Sequence, residues 1–171
     1  MSAVLLNAAQ QRYVVIEMAI GTLIAIAFSA AFTFAIFGGK AQVALWGNEG
    51  LAADTLPHTL GVLVPLVLVP TLITRRRLAR GGVDALGSRP AWMPRRLLPR
   101  TLLLTLLGLL LGGGAMVGTL HFLGVESLPF STVLGLKIVY GALLALAATP
   151  TVIRAALADG VAFPRGLHPG L

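Results

Sequence analysis

The chain is 171 residues long, 57% hydrophobic and only 11% charged, with a formal net charge of +7. Soluble globular domains carry roughly a quarter charged residues, so this balance excludes one and indicates an integral membrane protein. The absence of cysteine excludes a disulfide framework, a thiol nucleophile and a thiolate metal site.

A hydrocarbon core about 30 Å thick requires roughly 20 consecutive apolar residues of helix. Four stretches supply that length, at about 13–37, 56–74, 101–123 and 130–153. An unpaired backbone group in lipid costs several kcal/mol, and the ten-residue alternation of a barrel strand is absent, so all four are expected as helices. The expected fold class is therefore an all-α integral membrane protein, with residues 1–171 forming a single transmembrane domain.

The first span follows no basic region, and its apolar core exceeds the roughly 7 to 15 residues of a signal peptide, so it reads as a mature helix. Gly21, Ala25, Ser29 and Thr33 recur at four-residue steps, which places small side chains on one face where another helix approaches closely. Glu17 lies one such step earlier and shares that face. A carboxylate inside a span is costly and is a functional candidate. It either binds a proton or cation, or anchors the helix by reaching Arg12 or the basic segment.

The second span contains Pro65 and Pro70, each of which removes a backbone donor and favours a kink. It leads into "RRRLARGGVDALGSRPAWMPRRLLPR", residues 75–100, which is expected as an arginine-rich loop. The tails add Arg12, Arg154 and Arg165, whereas the other connections hold Lys40 with Glu49, Asp54 and Glu126. Basic residues in short loops stay cytoplasmic, so both termini and 75–100 are expected there. Polybasic segments at a membrane attract anionic lipid by about 1 kcal/mol per residue. Arg75, Arg76, Arg77, Arg80, Arg95 and Arg96 are the expected lipid contacts. Nucleic acid is not an expected partner, because no fold that reads bases fits so short a segment.

In the third span Gly108 with Gly112 and Gly114 with Gly118 form two further small-residue pairs, expected to pack inside one bundle or between protomers. The triple glycine 112–114 is no phosphate loop, since no Lys-Ser/Thr follows it. His121, at the outer end, and His58, at the start of span two, could face each other near Asp54 or Glu126; satisfied interfacial histidines are the plainer reading. In span four, Lys137 sits about two turns below the outer end, either snorkelling outward or pairing with Glu126 or Asp54. Glu17 and Lys137 fall near opposite ends of the bundle, so two separate polar sites are expected. Trp46, Trp92, Tyr13 and Tyr140 suit interfacial belts.

A shift of 80 residues superposes Pro70-Thr71-Leu72-Ile73 on Pro150-Thr151-Val152-Ile153, and "TLPHT" at 55–59 echoes "SLPFS" at 127–131. Two helical hairpins in the same orientation are expected, a parallel repeat about an axis along the membrane normal.

"VALWG", "LPRTLLL", "LGLKIVYGALLAL" and "TPTVIRAALADG" together cover most of the chain's organisation. With them the sequence resembles an uncharacterised family of small four-span bacterial inner-membrane proteins, which has no assigned activity. The resemblance implies a bacterial inner membrane and no catalytic residues. Glu17 with Gly21-Thr22 also resembles the first helix of small multidrug resistance transporters, whose essential carboxylate sits there. The length, the arginine-rich segment and the spacing depart from that family.

No nucleophile–base pair, metal cluster or phosphate motif stands out, so neither catalysis nor a cofactor is expected. The expected role is structural or accessory, binding another membrane protein or anionic lipid. The alternative is a small homo-oligomeric proton- or cation-coupled transporter using Glu17.

Overall fold

The computed structural model describes residues 6–87 and 92–162. Arg89 and Arg165 lie outside the described residues. Helix α1, Ala8–Phe37, starts on a reciprocal cap: the Gln10 amide N–H donates to the Asn7 side chain at 2.7 Å, and the Asn7 N–H donates to the Gln10 side chain at 3.0 Å. Two backbone donors that the first turn would leave unpaired are thereby satisfied. The chain then turns through Gly39, whose φ of +93° suits a residue without Cβ, into the short strand β1, Gln42–Ala44. Helix α2 is Leu51–Ala79 and helix α3 is Leu97–Phe122. Strand β2, Ser127–Pro129, precedes helix α4, Phe130–Ala158, which ends in a 3₁₀ turn at Asp159–Ala162.

All four helices are long and apolar enough to cross a membrane. Helix α2 begins at Leu51 rather than at 56 and continues through Pro57, Pro65 and Pro70. It also carries Arg75, Arg76 and Arg77, while Arg100 is on α3. The expected loop 75–100 is thus partly helix. The physical reason is that apolarity marks only what lipid would cover, whereas backbone hydrogen bonding lets a helix run on into water.

Helix α4 is central: α1 packs along it most extensively and α2 next, while α3 leans on α2 and touches α4 mainly at 108–113. In hydrocarbon no hydrophobic gain separates helix from lipid, so close backbone approach decides which faces meet. The buried row Gly21, Ala25, Ser29, Thr33 and Phe37 forms the α1 face. A Cβ added at Gly21 would come within 3.0 Å of Leu66 Cδ1 and 3.3 Å of Thr149 Oγ1. Ser29 fills the space left by Gly141 on α4. Gly108 faces Leu63, and Gly112 faces Leu144 and Tyr140, with 3.1 Å available to a Cβ on either side.

A Cβ at Gly114 or Gly118 would meet no heavy atom of the chain within 4 Å, so this pair makes no close contact inside the bundle among the described residues, and packing between protomers is the alternative left to it. Residues Gly108–Gly113 form a π-helical segment, where the wider turn admits an extra residue. The two-residue step from Gly112 to Gly114 by itself carries the chain about half a turn round the helix, so the later pair does not share the Gly108–Gly112 face.

At the end opposite the arginines, β1 and β2 pair antiparallel in the register Gln42↔Pro129, Val43↔Leu128, Ala44↔Ser127. The Leu45 N–H to Glu126 carbonyl bond, 2.7 Å, extends this ladder. Phe37, Val43, Leu45, Leu51, Leu120 and Val133 form the apolar cluster beneath it.

Candidate functional site

Two layers of polar side chains lie within the apolar bundle, one toward the strand end and one at the arginine-bearing end. In the first, Lys137 of α4 is 1% exposed and ion-pairs with Asp54 in the first turn of α2. Starting α2 at Leu51 is what brings Asp54 to Lys137. The ammonium also lies 5.0 Å from the Phe32 ring centroid and 5.4 Å from that of Phe37, in cation–π contact. One turn deeper, Ser29 Oγ and His58 Nε2 are 3.2 Å apart. Tyr140 and Thr59 share a hydroxyl–hydroxyl bond of 2.7 Å. The His58 ring is packed by Phe28, Phe32 and Tyr140.

His58 is fully buried there, whereas His121 is exposed and packs edge-on against Trp46. The two histidines therefore do not share a site. Tyr13 and Tyr140 are likewise interior rather than interfacial, each bonded to a threonine of α2.

The second layer centres on Asp159, just beyond α4. Arg100 is completely buried; its Nη2 donates to both Asp159 carboxylate oxygens, at 3.0 and 3.1 Å. Its Nε and Nη2 also donate to the Pro94 carbonyl, at 3.2 and 3.1 Å. Arg75 donates Nε and Nη2 to Asp159 Oδ2 at 2.9 and 2.8 Å, and Nη2 to the Arg95 carbonyl at 3.0 Å. One carboxylate thus joins the ends of α2, α3 and α4, and Arg100 and Arg75 also hold residues 94 and 95 by their carbonyls. The guanidinium fork, with five fixed donors, is suited to bridging a carboxylate and a carbonyl at once.

Glu17 is 3.5 Å from Arg77 Nη1, and the Arg77 guanidinium stacks 5.0 Å from the Tyr13 ring centroid. Its anchor is therefore on α2 and not at Arg12. Arg75 and Arg77, expected at lipid, each face a carboxylate of the chain. The segment after α2 is also held down. Gln10 donates to the Asp84 carbonyl at 3.1 Å, and the Leu86 N–H donates to the Leu157 carbonyl at 3.1 Å.

Arg76, Arg80, Arg95 and Arg96 are exposed at this end and have no ion pair among the described residues. At the opposite end, Lys40 bonds Glu49 in open solvent and holds its carboxyl below the usual carboxylate range, first by the hydrogen bond and then by its charge.

An apolar groove of about 780 Å³ runs between α3 and α4. Gly112, Tyr140 and Leu144 line its middle, Trp92 and Thr151 the arginine-side end, and Thr119 and Leu136 the strand-side end.

Sequence reasoning isolated Glu17 and Lys137 but passed over Arg100 and Asp159. The available signal is Asp159, an acid six residues beyond the fourth span at the end where the arginines collect. Such an acid has a strong claim to an internal partner. No protein family matches the chain, and no curated protein or solved structure matches it either.

Proposed function

We propose that the chain is a non-catalytic, multi-pass protein of the bacterial inner membrane, with both termini and the 75–100 segment cytoplasmic. In this reading it serves as a structural or accessory protein that binds anionic lipid at its cytoplasmic end, another membrane protein being the second class of partner. The observation that carries the reading is the division among the arginines. Arg75, Arg77 and Arg100 meet internal carboxylates, while Arg76, Arg80, Arg95 and Arg96 are exposed around the same end of the bundle. Exposed guanidiniums beside an anionic leaflet contribute about 1 kcal/mol each, so four of them supply a useful attraction without any enclosed site.

The parallel repeat belongs to the same reading. It is supported by the antiparallel pairing of β1 with β2, which follow α1 and α3 in turn, and by the packing of α2 on α4. A two-fold along the membrane normal would relate those elements. Transport driven by Glu17 has less support, because that carboxylate already lies beside Arg77, whose side chain is 50% exposed. The test is native mass spectrometry of the full chain in mild detergent, titrated with dioleoyl phosphatidylglycerol and dioleoyl phosphatidylcholine. Wild type should prefer the anionic lipid, and replacing Arg76, Arg80, Arg95 and Arg96 by Gln should reduce the preference at least fivefold. Equal retention of the two lipids by wild type would reject the reading.

A further inference from the structure

We propose that the groove between α3 and α4 seats one anionic diacyl phospholipid from the cytoplasmic leaflet, with an acyl chain in the groove and the phosphate at Arg154, Arg95 and Arg96. The inference rests on the cytoplasmic, lipid-binding reading above and adds a defined site to it.

The groove's volume of about 780 Å³ lies within the roughly 300 to 1,000 Å³ of small-molecule sites. Its origin is in the sequence. Close approach of α3 to α2 and α4 is concentrated at Gly108, Gly112 and Gly113 in the π-helical segment, and beyond it α3 stands away from α4. The opening left between the two helices is walled mainly by small and apolar side chains, with Tyr140 among them.

Charge at the two ends decides the occupant. Thr151 lines the arginine-side end of the groove. Arg154 follows three residues later on the same face of α4, exposed and without an ion pair among the described residues. Trp92 also lines this end, and the exposed Arg95 and Arg96 follow it by three and four residues. The strand-side end is lined by Thr119, Leu120 and Leu136, none of them charged. An elongated apolar slot with guanidiniums at one end only is complementary to a molecule with one anionic head and a long apolar tail. Phosphate contact by Arg is favoured by its planar fork, and a phospholipid carries its anion at headgroup level by construction, whereas a transmembrane helix does so only where its sequence places an acid.

The test uses positions that line the groove from its exposed side. Ala115 and Ala147 are both exposed and both line it, so Ala115→Phe with Ala147→Phe fills the slot without entering the core. Native mass spectrometry of the full chain with dioleoyl phosphatidylglycerol should show one tightly held lipid in wild type. The filled variant should lose about tenfold in its affinity with unchanged helicity and melting temperature. Arg154→Gln should remove most of the preference for phosphatidylglycerol over phosphatidylcholine while leaving the latter bound. Retention of phosphatidylglycerol by the filled variant at wild-type strength overturns the groove as its site. If Arg76→Gln with Arg80→Gln lowers that retention and the filled variant does not, the anionic-lipid reading stands and the groove fails. Absence of any preference for phosphatidylglycerol in wild type sinks both. A wild-type dimer that the filled variant dissociates would assign the groove to a second copy instead.

Discussion

Asp159→Asn isolates the junction at the arginine-bearing end. The substitution preserves shape but removes the charge that faces Arg100, whose side chain is completely buried. A guanidinium stays protonated under all ordinary conditions, so the charge cannot be relieved by losing a proton. Arg100 would retain its two bonds to the Pro94 carbonyl, while its Nη1 already lacks an acceptor among the described residues. Breaking a buried ion pair from one side costs about 3–5 kcal/mol. Arg75, with 35% of its side chain exposed, rehydrates when Asp159 is lost and adds at most about 1 kcal/mol. Arg100→Met should cost less than Asp159→Asn, because the carboxylate keeps Arg75 and no cation is left buried. Arg75→Gln should cost least. The assay is reversible unfolding in mixed micelles of increasing dodecyl sulfate, followed by helicity. The expected order of destabilisation is Asp159→Asn, then Arg100→Met, then Arg75→Gln. A cost below about 1 kcal/mol for Asp159→Asn, or an inverted order, would refute the reasoning.

The same logic at the strand end predicts that Asp54→Asn destabilises by about 3–5 kcal/mol, whereas Asp54→Leu combined with Lys137→Met recovers most of that loss; a double variant as unstable as Asp54→Asn would contradict it. Gly21→Leu and Gly112→Leu should each cost roughly 1–3 kcal/mol by overpacking, while Gly114→Leu and Gly118→Leu, which face open space, should fall within about 0.5 kcal/mol of wild type. Equal melting temperatures in detergent for all four would remove the distinction. Glu49 should titrate below an ordinary glutamate, and Lys40→Gln should return it to the usual range. Its lowered value means that any stabilisation from this pair is present above the ordinary carboxylate range and fades as the pH falls through the lowered one. A titration followed by NMR that gives the same midpoint with and without Lys40 would exclude the pairing.

The parts of the fold legible in the sequence are those governed by composition along the chain. Apolar length locates four helices, and the four-residue recurrence from Gly21 to Thr33 identifies the α1 face that is buried. What stays hidden depends on rotation about a helix axis or on partners distant in sequence. Arg75 and Arg76 are neighbours in one basic run, yet Arg75 turns to Asp159 and Arg76 to the exterior. Nothing in the run distinguishes them until α4 supplies its acid 84 residues away. Gly114 and Gly118 have the same four-residue spacing as Gly108 and Gly112, but they lie about half a turn round the helix and meet no heavy atom of the chain within 4 Å of an added Cβ. Asp54 reads as loop because the apolar stretch begins after it, although the helix that carries it to Lys137 starts three residues earlier, at Leu51.

The account stands or falls on which side of the membrane the arginines lie. The direct measurement is a set of fusions to a reporter enzyme active only in the periplasm, joined after Asn48, Gly87 and Ser127, three positions in the connections between the long helices. Activity after Asn48 and Ser127, with none after Gly87, is the expected result for four spans with the arginine-bearing end cytoplasmic. Activity after Gly87 and silence at the other two would contradict it.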